Sequence, residues 1–342
     1  MHMADALITP AVGGGMWAIT AGLIWYSSRK LKDELDGSKI PLMGVIGAFV
    51  FAAQMINFTI PATGSSGHLG GGMMLAILLG PYAAFLTLAS VLTIQAFFFA
   101  DGGLLALGCN IFNLGFFPCF IGFPFIYKKI VSNHPAKPLI ITGAMIAAIV
   151  SLQLGAFSVV LQTWFSGISE LPFDVFAMLM QPIHLAIGIV EGVATAAVVL
   201  FIWKARPEIL RESLHPEDND KKSFKKILIA FLTATILIGG ALSWFASSHP
   251  DGLEWSMFKT SGSEELESPE TGVYHALAGV QKKTAFLPGY GFKSTETPAE
   301  ESSEKWPAVD AGTSISGMVG SILTLLLAVL LGFAFRRKKP KN

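Results

Sequence analysis

Three of the seven histidines stand where a ring nitrogen could bind a metal ion. His2 directly follows Met1, His68 lies in the glycine-rich run PATGSSGHLGGG, and His184 lies in a long apolar segment. The α-amine of Met1, the amide nitrogen of His2 and its Nδ1 can close a five-membered and a six-membered chelate ring on one ion. The imidazole of His68 would complete a square plane of four nitrogens, an arrangement that suits Ni(II) or Cu(II).

Such a chelate places demands on the residues around it. The amine and the imidazoles must be deprotonated to bind, and full chelation also displaces the amide proton. The glycines beside His68 allow the main chain to approach closely and to fold back into the protein. Thr63 and Ser66, in the same run, are candidates to support the ligands or to line the path of the ion.

Polar residues inside apolar segments form a second group of interest. His184 and Glu191 are seven positions apart, hence on one face of a helix, where they could pair with each other or bind a metal. We favour hydrogen bonding between helices, because polar groups in lipid must be satisfied and these two can satisfy each other without an ion. The same role is expected of the other buried amides: Gln54, Asn57, Gln95, Asn110, Asn113 and Gln153.

The elements that must position these residues are membrane helices. The chain is 52% hydrophobic and 14% charged, with a mean hydropathy of +0.57, whereas soluble domains carry about a quarter charged residues. A bilayer core requires about 20 apolar residues for each crossing. The sequence therefore predicts an all-α, polytopic membrane helix bundle with about nine spans, near 6–27, 41–60, 69–82, 84–100, 104–126, 139–165, 175–203, 226–246 and 314–335.

The distribution of charge predicts an orientation. The first basic residues, Arg29 and Lys30, follow the first apolar run, so we expect a retained helix and not a cleaved signal peptide. The positive-inside rule then places the N-terminus outside the cytoplasm and the C-terminus inside. With nine spans, every basic loop falls on the same side: 29–39, 128–137, 204–226 and the tail 336–341.

The pattern also predicts a division of the chain. Residues 1–205 are predicted to form a seven-helix module, 206–225 a cytoplasmic linker of mixed charge, and 226–342 a two-helix module. Its extracytoplasmic insert, 247–312, is rich in Ser, Glu, Pro and Gly, so we expect it to be loosely ordered or held by a partner. Small residues recur at four-residue spacing at Gly14, Ala18 and Gly22 and again at Gly44, Ala48 and Ala52, which allows close helix contact inside the bundle or against another subunit, and we favour the first.

Several function classes are excluded or disfavoured. No Walker motif is present, so we expect no ATP hydrolysis by that route; the His-Glu-x-x-His pattern is also absent, and no Ser-His-Asp set can be placed. Net charge is zero without a basic surface for nucleic acid. Cys109 and Cys119 suit neither a zinc site nor a disulfide and are interpreted as buried packing residues.

Four runs resemble the CbiM/NikM substrate-capture components of energy-coupling-factor (ECF) transporters for cobalt and nickel: MHMADALITPAVGG, FAAQMINFTIPATGSSGHLGGG, QAFFFADGGLLALGCNIFN and HLAIGIVEGVATA. The run HPDGLEWS, from His249, resembles the small PDGLE-type accessory subunit CbiN or NikN, here fused to the capture module. The resemblance implies that residues 1–205 are the capture module and 226–342 the accessory module. It implies Met1, His2 and His68 as ligands of a transported Ni²⁺ or Co²⁺, no other cofactor and no enzymatic activity. It also implies a prokaryotic cell membrane as the location, and a membrane scaffold subunit and two ATPases as partners.

Two alternatives stay open from the residues alone. The chain could be a membrane scaffold or assembly protein of corrin biosynthesis that binds no metal, or an importer of a small vitamin-like molecule. The second would need an apolar, aromatic-lined pocket and would leave the terminal amine without a role. For the accessory module we expect assistance in metal loading, because its acidic ectodomain can concentrate cations.

Overall fold

The structure is a computed structural model and describes residues 2–34, 39–131, 135–169, 171–214, 225–293 and 306–335. Helices form nearly all of its regular structure, and the only strands in these ranges are two short ones. Five of the described helices are long and apolar enough to cross a bilayer. The predicted class, an all-α polytopic membrane protein, is confirmed.

The described part of residues 1–205, the predicted capture module, contains seven α-helices. They are α1 (Pro10–Glu34), α2 (Lys39–Gln54), α3 (Gly72–Leu79), α4 (Pro81–Phe99), α5 (Leu107–Val131), α6 (Lys137–Ser166) and α7 (Phe173–Ala205). The helices α4, α5, α6 and α7 are among the five that could span, and α2 is apolar but shorter. The core lies between them, with α3 buried on every side.

The predicted helix 41–60 was wrong at its C-terminal end. The helix α2 stops at Gln54, and Phe58–Ile60 forms strand β1, which pairs antiparallel with β2 (Ser65–Gly67). Apolarity alone cannot separate a short buried strand from a helix. The resulting hairpin turns the chain back so that His68 points into the bundle.

The predicted break between α3 and α4 is present at Gly80-Pro81. Gly80 has φ 81°, which favours glycine, and Pro81 starts α4 at a position where a missing N–H costs nothing. A second irregularity lies in α5, where Phe112–Tyr127 is wound as a π-helix around Pro118 and Pro124. Prolines inside a helix remove main-chain donors and disturb the ordinary winding.

The accessory module adds α9 (Lys225–Gly240), α10 (Gly252–Ser261), α11 (Gly272–Thr284) and α12 (Ala311–Phe335), after the short linker helix α8 (Pro207–Leu214). Of these, α12 is the helix long and apolar enough to span. The expectation that the insert 247–312 is loosely ordered or needs a separate partner does not hold for its described part. The capture module of the same chain holds it, through bonds from Tyr274 Oη to Ile8 O (2.8 Å) and from Gln281 Nε2 to Gly102 O (2.8 Å).

The two modules also pack together inside the apolar region. A Cβ on Gly44 of α2 would lie 2.6 Å from a methyl of Val329 on α12, so only glycine allows this approach. Ser321 Oγ donates to Ala48 O at 3.2 Å across the same contact. The small residues of α2 therefore serve packing within the chain, as predicted, whereas a Cβ on Gly14 or Gly22 of α1 would meet nothing within 4 Å.

Candidate metal centre

The N-terminal segment is buried against the turn after α4 and the start of α5. Met3 is fully buried. Its N–H donates to Asn110 Oδ1 at 2.8 Å, and its carbonyl accepts from Asn110 Nδ2 at 3.2 Å and from Gly103 N at 2.9 Å. Met1 and its amine lie outside the described residues. The bonds to Met3 fix the direction in which the preceding residue, His2, leaves the core.

The turn after α4 brings the main chain close to the N-terminal segment. Asp5 Oδ1 accepts from Ala106 N at 3.0 Å, and a Cβ on Gly103 would overlap the carboxylate of Asp5. Gly102 has φ 80°, a conformation that favours glycine. Asp101 precedes these two glycines, so the turn carries its carboxylate to the N-terminus.

His2 and His68 meet face to face. Their ring centroids are 5.0 Å apart and the rings are 11° from parallel. Nδ1 of His2 lies 3.2 Å from Asp101 Oδ1, while Nε2 of His2 is buried without a hydrogen-bond partner among the described residues. The structure therefore brings together the two histidines that the sequence assigned to one site.

Burial favours the neutral form of both rings. Burial lowers the pKa of His2, and burial lowers the pKa of His68 to about 3. Nδ1 of His68 lies 3.1 Å from the carbonyl of Leu69, which can only accept, so Nδ1 carries the proton. The Nε2 of His68 then presents a lone pair, which is the form that binds a metal.

The loop after His68 is held by a buried carboxylate. Glu191 of α7 accepts from Gly70 N at 2.8 Å and from Gly71 N at 3.1 Å. The carbonyl of Gly70 accepts from Gln54 Nε2 at 2.9 Å, and Gln95 Nε2 donates to Gln54 Oε1 at 2.9 Å. Glu191 therefore positions the loop that carries His68.

The pairing between His184 and Glu191 that the sequence left open does not form. Nδ1 of His184 bonds Met180 O at 2.8 Å within α7, and each carboxylate oxygen of Glu191 has a main-chain partner. Nε2 of His184 has no hydrogen-bond partner among the described residues. His184 instead lines a small cavity that also borders His68 and Asp251.

Thr63 and Ser66 connect the two modules. Thr63 Oγ1 donates to Ile60 O at 2.8 Å within the hairpin turn, and its carbonyl accepts from Trp255 Nε1 at 2.9 Å. Ser66 N donates to Pro250 O at 2.8 Å, and its Oγ donates to His249 O at 2.7 Å. These two residues hold the accessory module against the loop of His68.

That contact brings a residue to the site that sequence reasoning missed. Asp251 caps α10, since its Oδ1 accepts from Leu253 N at 2.7 Å and Glu254 N at 3.0 Å, and Glu254 Oε2 accepts from Asp251 N at 2.8 Å. Its other oxygen, Oδ2, lies 3.9 Å from Nε2 of His68. The signal was an Asp three residues before a Glu, a helix-capping pattern within PDGLE.

Two open cavities give access to the site. One, of about 380 Å³, is lined by both histidines together with Asp101, Asp251 and Tyr290. A second, of about 470 Å³, also reaches His2, Asp101 and Asp251. Carboxylates therefore border both cavities, a charge distribution that attracts cations.

Side chains alone do not supply a complete ligand set in the part of the chain that the structure describes. No group of three or more His, Cys, Asp or Glu side chains is gathered there in a way that could hold a metal. In the chelate predicted from the sequence, the other donors are main-chain nitrogens of Met1 and His2.

Two known protein families match most of the chain. The family described as CbiM, cobalt uptake substrate-specific transmembrane region, matches residues 2–209, and the PDGLE domain matches residues 225–337. The two matches lie on either side of residues 210–224 and together cover most of the chain.

Individual proteins give the same result. The chain is 30% identical over 341 residues to a putative fused nickel transport protein NikMN of Archaeoglobus fulgidus, covering 98% of each. It is 27% identical to the cobalt transport protein CbiM of Geobacter sulfurreducens, covering 70% of this chain and 72% of that protein. The crystal structure of a truncated transition metal transporter superposes with a TM-score of 0.53 and 29% identity, covering 60% of this chain and 99% of the other.

Proposed function

The chain belongs to the CbiM family of cobalt-uptake transmembrane proteins, with a PDGLE domain fused to it, and we propose that it captures Ni²⁺ or Co²⁺ for an ECF importer. The observation that carries the proposal is the stacking of His2 on His68, two buried and neutral imidazoles joined at one point from distant parts of the chain. Soft and borderline divalent ions prefer such nitrogen donors.

In the proposed site the ion binds the amine of Met1, the amide nitrogen and Nδ1 of His2, and Nε2 of His68. Nδ1 of His2 lies 3.2 Å from Asp101 Oδ1, an acceptor, so without metal this nitrogen donates its proton in a hydrogen bond to the carboxylate, and a bound ion takes the place of that proton. Nickel is slightly favoured over cobalt, because a square plane of nitrogens suits Ni(II) and because Ni(II) complexes are the more stable in the general order.

The remaining candidate residues act in support. Glu191 keeps the loop of His68 in place, and Thr63 and Ser66 hold the accessory module over it. His184 borders the small cavity behind His68, on a path that an ion could take inward. None of these four supplies a primary ligand in our proposal.

Around this site the chain has nine membrane crossings, with its N-terminus outside and its C-terminus inside a prokaryotic cell membrane. Residues 1–205 capture the ion, 206–225 form a linker, and 226–342 form the accessory module. The chain has no enzymatic activity in this proposal. A membrane scaffold subunit and two ATPases bind it, and ATP hydrolysis reorients the bundle so that the ion leaves inward.

Isothermal titration with Ni²⁺ and Co²⁺ tests the site. The purified wild-type chain should bind one ion, and His2→Ala and His68→Ala should each lose measurable binding. His275→Ala is the matched control, because this histidine lies exposed on α11, away from the site. Unchanged affinity in both site variants would contradict the proposed site. A wild-type protein that binds no metal would favour the scaffold role in corrin biosynthesis.

A second experiment tests the terminal amine. One residue added before Met1 moves the amine out of the chelate, so metal binding should be lost although every side chain is retained. Mass spectrometry of the wild-type protein should show an unmodified Met1. Tight binding by the extended chain would show that the amine is not a ligand.

A further inference from the structure

We infer that Tyr290 of the accessory module promotes metal loading, because its hydroxyl binds the carboxylate of Asp101 and so allows this carboxylate to release His2 to the ion. Tyr290 does not touch the ion. It is a positioning residue that acts through Asp101. The inference rests on the proposed function of the site at His2 and His68, and it assigns to one residue of the accessory module a defined effect on one ligand.

A single carboxylate joins the ligand to the accessory module. Asp101 lies in the turn after α4. Its Oδ1 lies 3.2 Å from Nδ1 of His2, and its Oδ2 accepts a hydrogen bond of 2.5 Å from Oη of Tyr290. Because an ionised carboxylate can only accept, Nδ1 of His2 carries a proton in the metal-free protein. The contacts therefore run from Tyr290 through Asp101 to the nitrogen that the ion takes.

The ring of Tyr290 is fixed by aromatic packing on the capture module. It stacks on Phe99, with centroids 5.0 Å apart and planes 18° from parallel, and it meets Phe51 edge-on at 6.3 Å. Tyr290 also has φ 62°, in the left-handed region that bulky residues rarely adopt. Such a conformation persists only where the surrounding contacts determine it. The packing of the ring therefore directs the hydroxyl at Asp101.

Further hydrogen bonds seat the same part of the accessory module on the turn after α4. Gln281 Nε2 donates to Ala96 O at 2.9 Å and to Gly102 O at 2.8 Å. Leu287 N donates to Phe98 O at 3.3 Å. The carbonyls of Ala96 and Phe98 are among the last four of α4, which lack a partner within the helix. The accessory module therefore reaches this turn at several points, and the tyrosine hydroxyl is one of them.

The consequence for loading follows from the sharing of one carboxylate. Two donors on the same carboxylate weaken each other, because each draws on the same negative charge. With Tyr290 bound, Asp101 holds the Nδ1–H of His2 less tightly. When an ion takes Nδ1, Asp101 loses this donor but keeps Tyr290, so a carboxylate that is only 23% exposed is not left without a partner. Both effects favour the loaded protein. The hydroxyl has no net charge, so its removal hardly changes the attraction between Asp101 and a cation.

The test uses the full chain with an unmodified N-terminus and the variants Tyr290→Phe and Tyr274→Phe. The first keeps the stacked ring and removes the hydroxyl that binds Asp101. The second is the matched control, because it removes a hydroxyl that donates to Ile8 O at 2.8 Å, a bond between the same two modules that does not reach Asp101.

Two measurements are made on each protein. Titration gives the nickel affinity. NMR of metal-free protein with isotope-labelled histidine reports the tautomer of His2 and the chemical shift of its Nδ1–H proton, and the signals missing from His2→Ala identify His2.

In Tyr290→Phe, we expect a nickel affinity lower by about tenfold, and a Nδ1–H proton of His2 shifted downfield because Asp101 holds it more tightly. Tyr274→Phe should match the wild type in both measurements. Unchanged affinity or an unshifted proton in Tyr290→Phe, or equal changes in the two variants, would overturn the inference. A metal-free wild type in which His2 carries its proton on Nε2 would also overturn it, and this result decides the matter even if the variant unfolds.

Failure of the proposed function gives a different result. A wild-type chain that binds no nickel would overturn the proposed function and, with it, the role of Tyr290 in loading. A wild-type chain that binds nickel no more tightly than Tyr290→Phe would overturn the inference alone.

Discussion

The side chain of Asn110 bonds both main-chain groups of Met3, accepting from its N–H at 2.8 Å and donating to its carbonyl at 3.2 Å. Both residues are buried, and Met3 directly follows the proposed ligand His2. An amide side chain is the one uncharged group that can accept and donate in this way from a single planar end. Asn110 therefore fixes the N-terminal segment without adding charge to the membrane interior.

The first prediction concerns the two hydrogen bonds between Asn110 and Met3. Asn110→Leu leaves the N–H of Met3 without its partner in a buried place, which costs about 1–3 kcal/mol. If the substitution destabilises the metal-bound protein by this amount relative to the metal-free protein, titration should show a nickel affinity lower by roughly tenfold or more. Cys109→Ala is the control, since Cys109 is a buried free cysteine beside Asn110. Equal affinities for Asn110→Leu and wild type would show that the hydrogen bonds from Asn110 to Met3 do not position His2.

The second prediction concerns Glu191. Glu191→Gln keeps one oxygen acceptor for the loop, but its amide group now faces the N–H of Gly70 or Gly71. The loop should loosen and nickel affinity should fall by about 10–100-fold, the usual effect of residues that orient a metal ligand. Hydrogen exchange at Gly70 and Gly71 should rise, a readout that separates loosening of the loop from loss of overall stability.

Glu208→Gln is the matched control for Glu191→Gln. Glu208 pairs with Arg206 at 3.1 Å near the end of α7, far along the chain from the glycine loop. Its loss should change neither the exchange of Gly70 nor the metal affinity. Wild-type exchange at both glycines in Glu191→Gln would contradict the positioning role.

The sequence was sufficient for most helices but not for their ends. Long apolar runs predicted α6 at 139–165 and α7 at 175–203, and the structure has Lys137–Ser166 and Phe173–Ala205. The run 41–60 was predicted as one helix because residues of a buried strand are as apolar as those of a helix. The chain before the hairpin is also held from a distance, since Ser247 N–H donates to Asn57 O at 2.7 Å. A partner so distant in the chain leaves no local pattern.

The residues of the candidate site were also predicted only where their own types or neighbours are unusual. His2 and His68 were identified because their residue types and neighbours are chemically unusual. Glu191 was identified as a buried polar group, but its partners, the amides of Gly70 and Gly71, carry no sequence signal because every residue has an amide. Asp251 was missed because a helix cap explains it locally, and only the packing of the two modules shows its second oxygen at His68.

The third prediction concerns Gly252. A Cβ there would lie 3.1 Å from His184 Cε1 and Ile187 Cδ1, so Gly252→Ala should push the PDGLE segment away from α7. Overpacking of this kind costs about 1–3 kcal/mol. The amide of Ser66, which donates to Pro250 O at 2.8 Å, should exchange roughly tenfold faster. Mass spectrometry of the deuterated protein measures this directly.

Gly279→Ala is the control for that prediction. Gly279 lies in α11 of the same ectodomain, and a Cβ there would meet nothing within 4 Å. Alanine is the better helix former by about 1 kcal/mol, so this variant should be as stable as wild type or more stable. Unchanged exchange of Ser66 in Gly252→Ala would mean that the segment docks without needing the close approach.

The fourth prediction concerns the contact between the modules inside the apolar region. A Cβ on Gly320 of α12 would overlap the ring of Phe51 on α2, and Phe51 is itself fully buried against Phe99 at a centroid distance of 5.4 Å. Because the ring has little room to move, Gly320→Ala should lower the free energy of unfolding by about 1–3 kcal/mol. Thermal unfolding in detergent micelles measures the loss.

A double substitution makes this last prediction specific. Phe51→Leu alone should destabilise by removing ring contacts, but in combination with Gly320→Ala it removes the overlap. The two effects should therefore fall short of their sum by about 0.5–3 kcal/mol, as expected for residues in direct contact. Gly14→Ala, on α1 with nothing within 4 Å of its added Cβ, should show no such coupling with Phe51→Leu. Additive losses for Gly320 and Phe51 would mean that α12 does not pack on α2 through this pair.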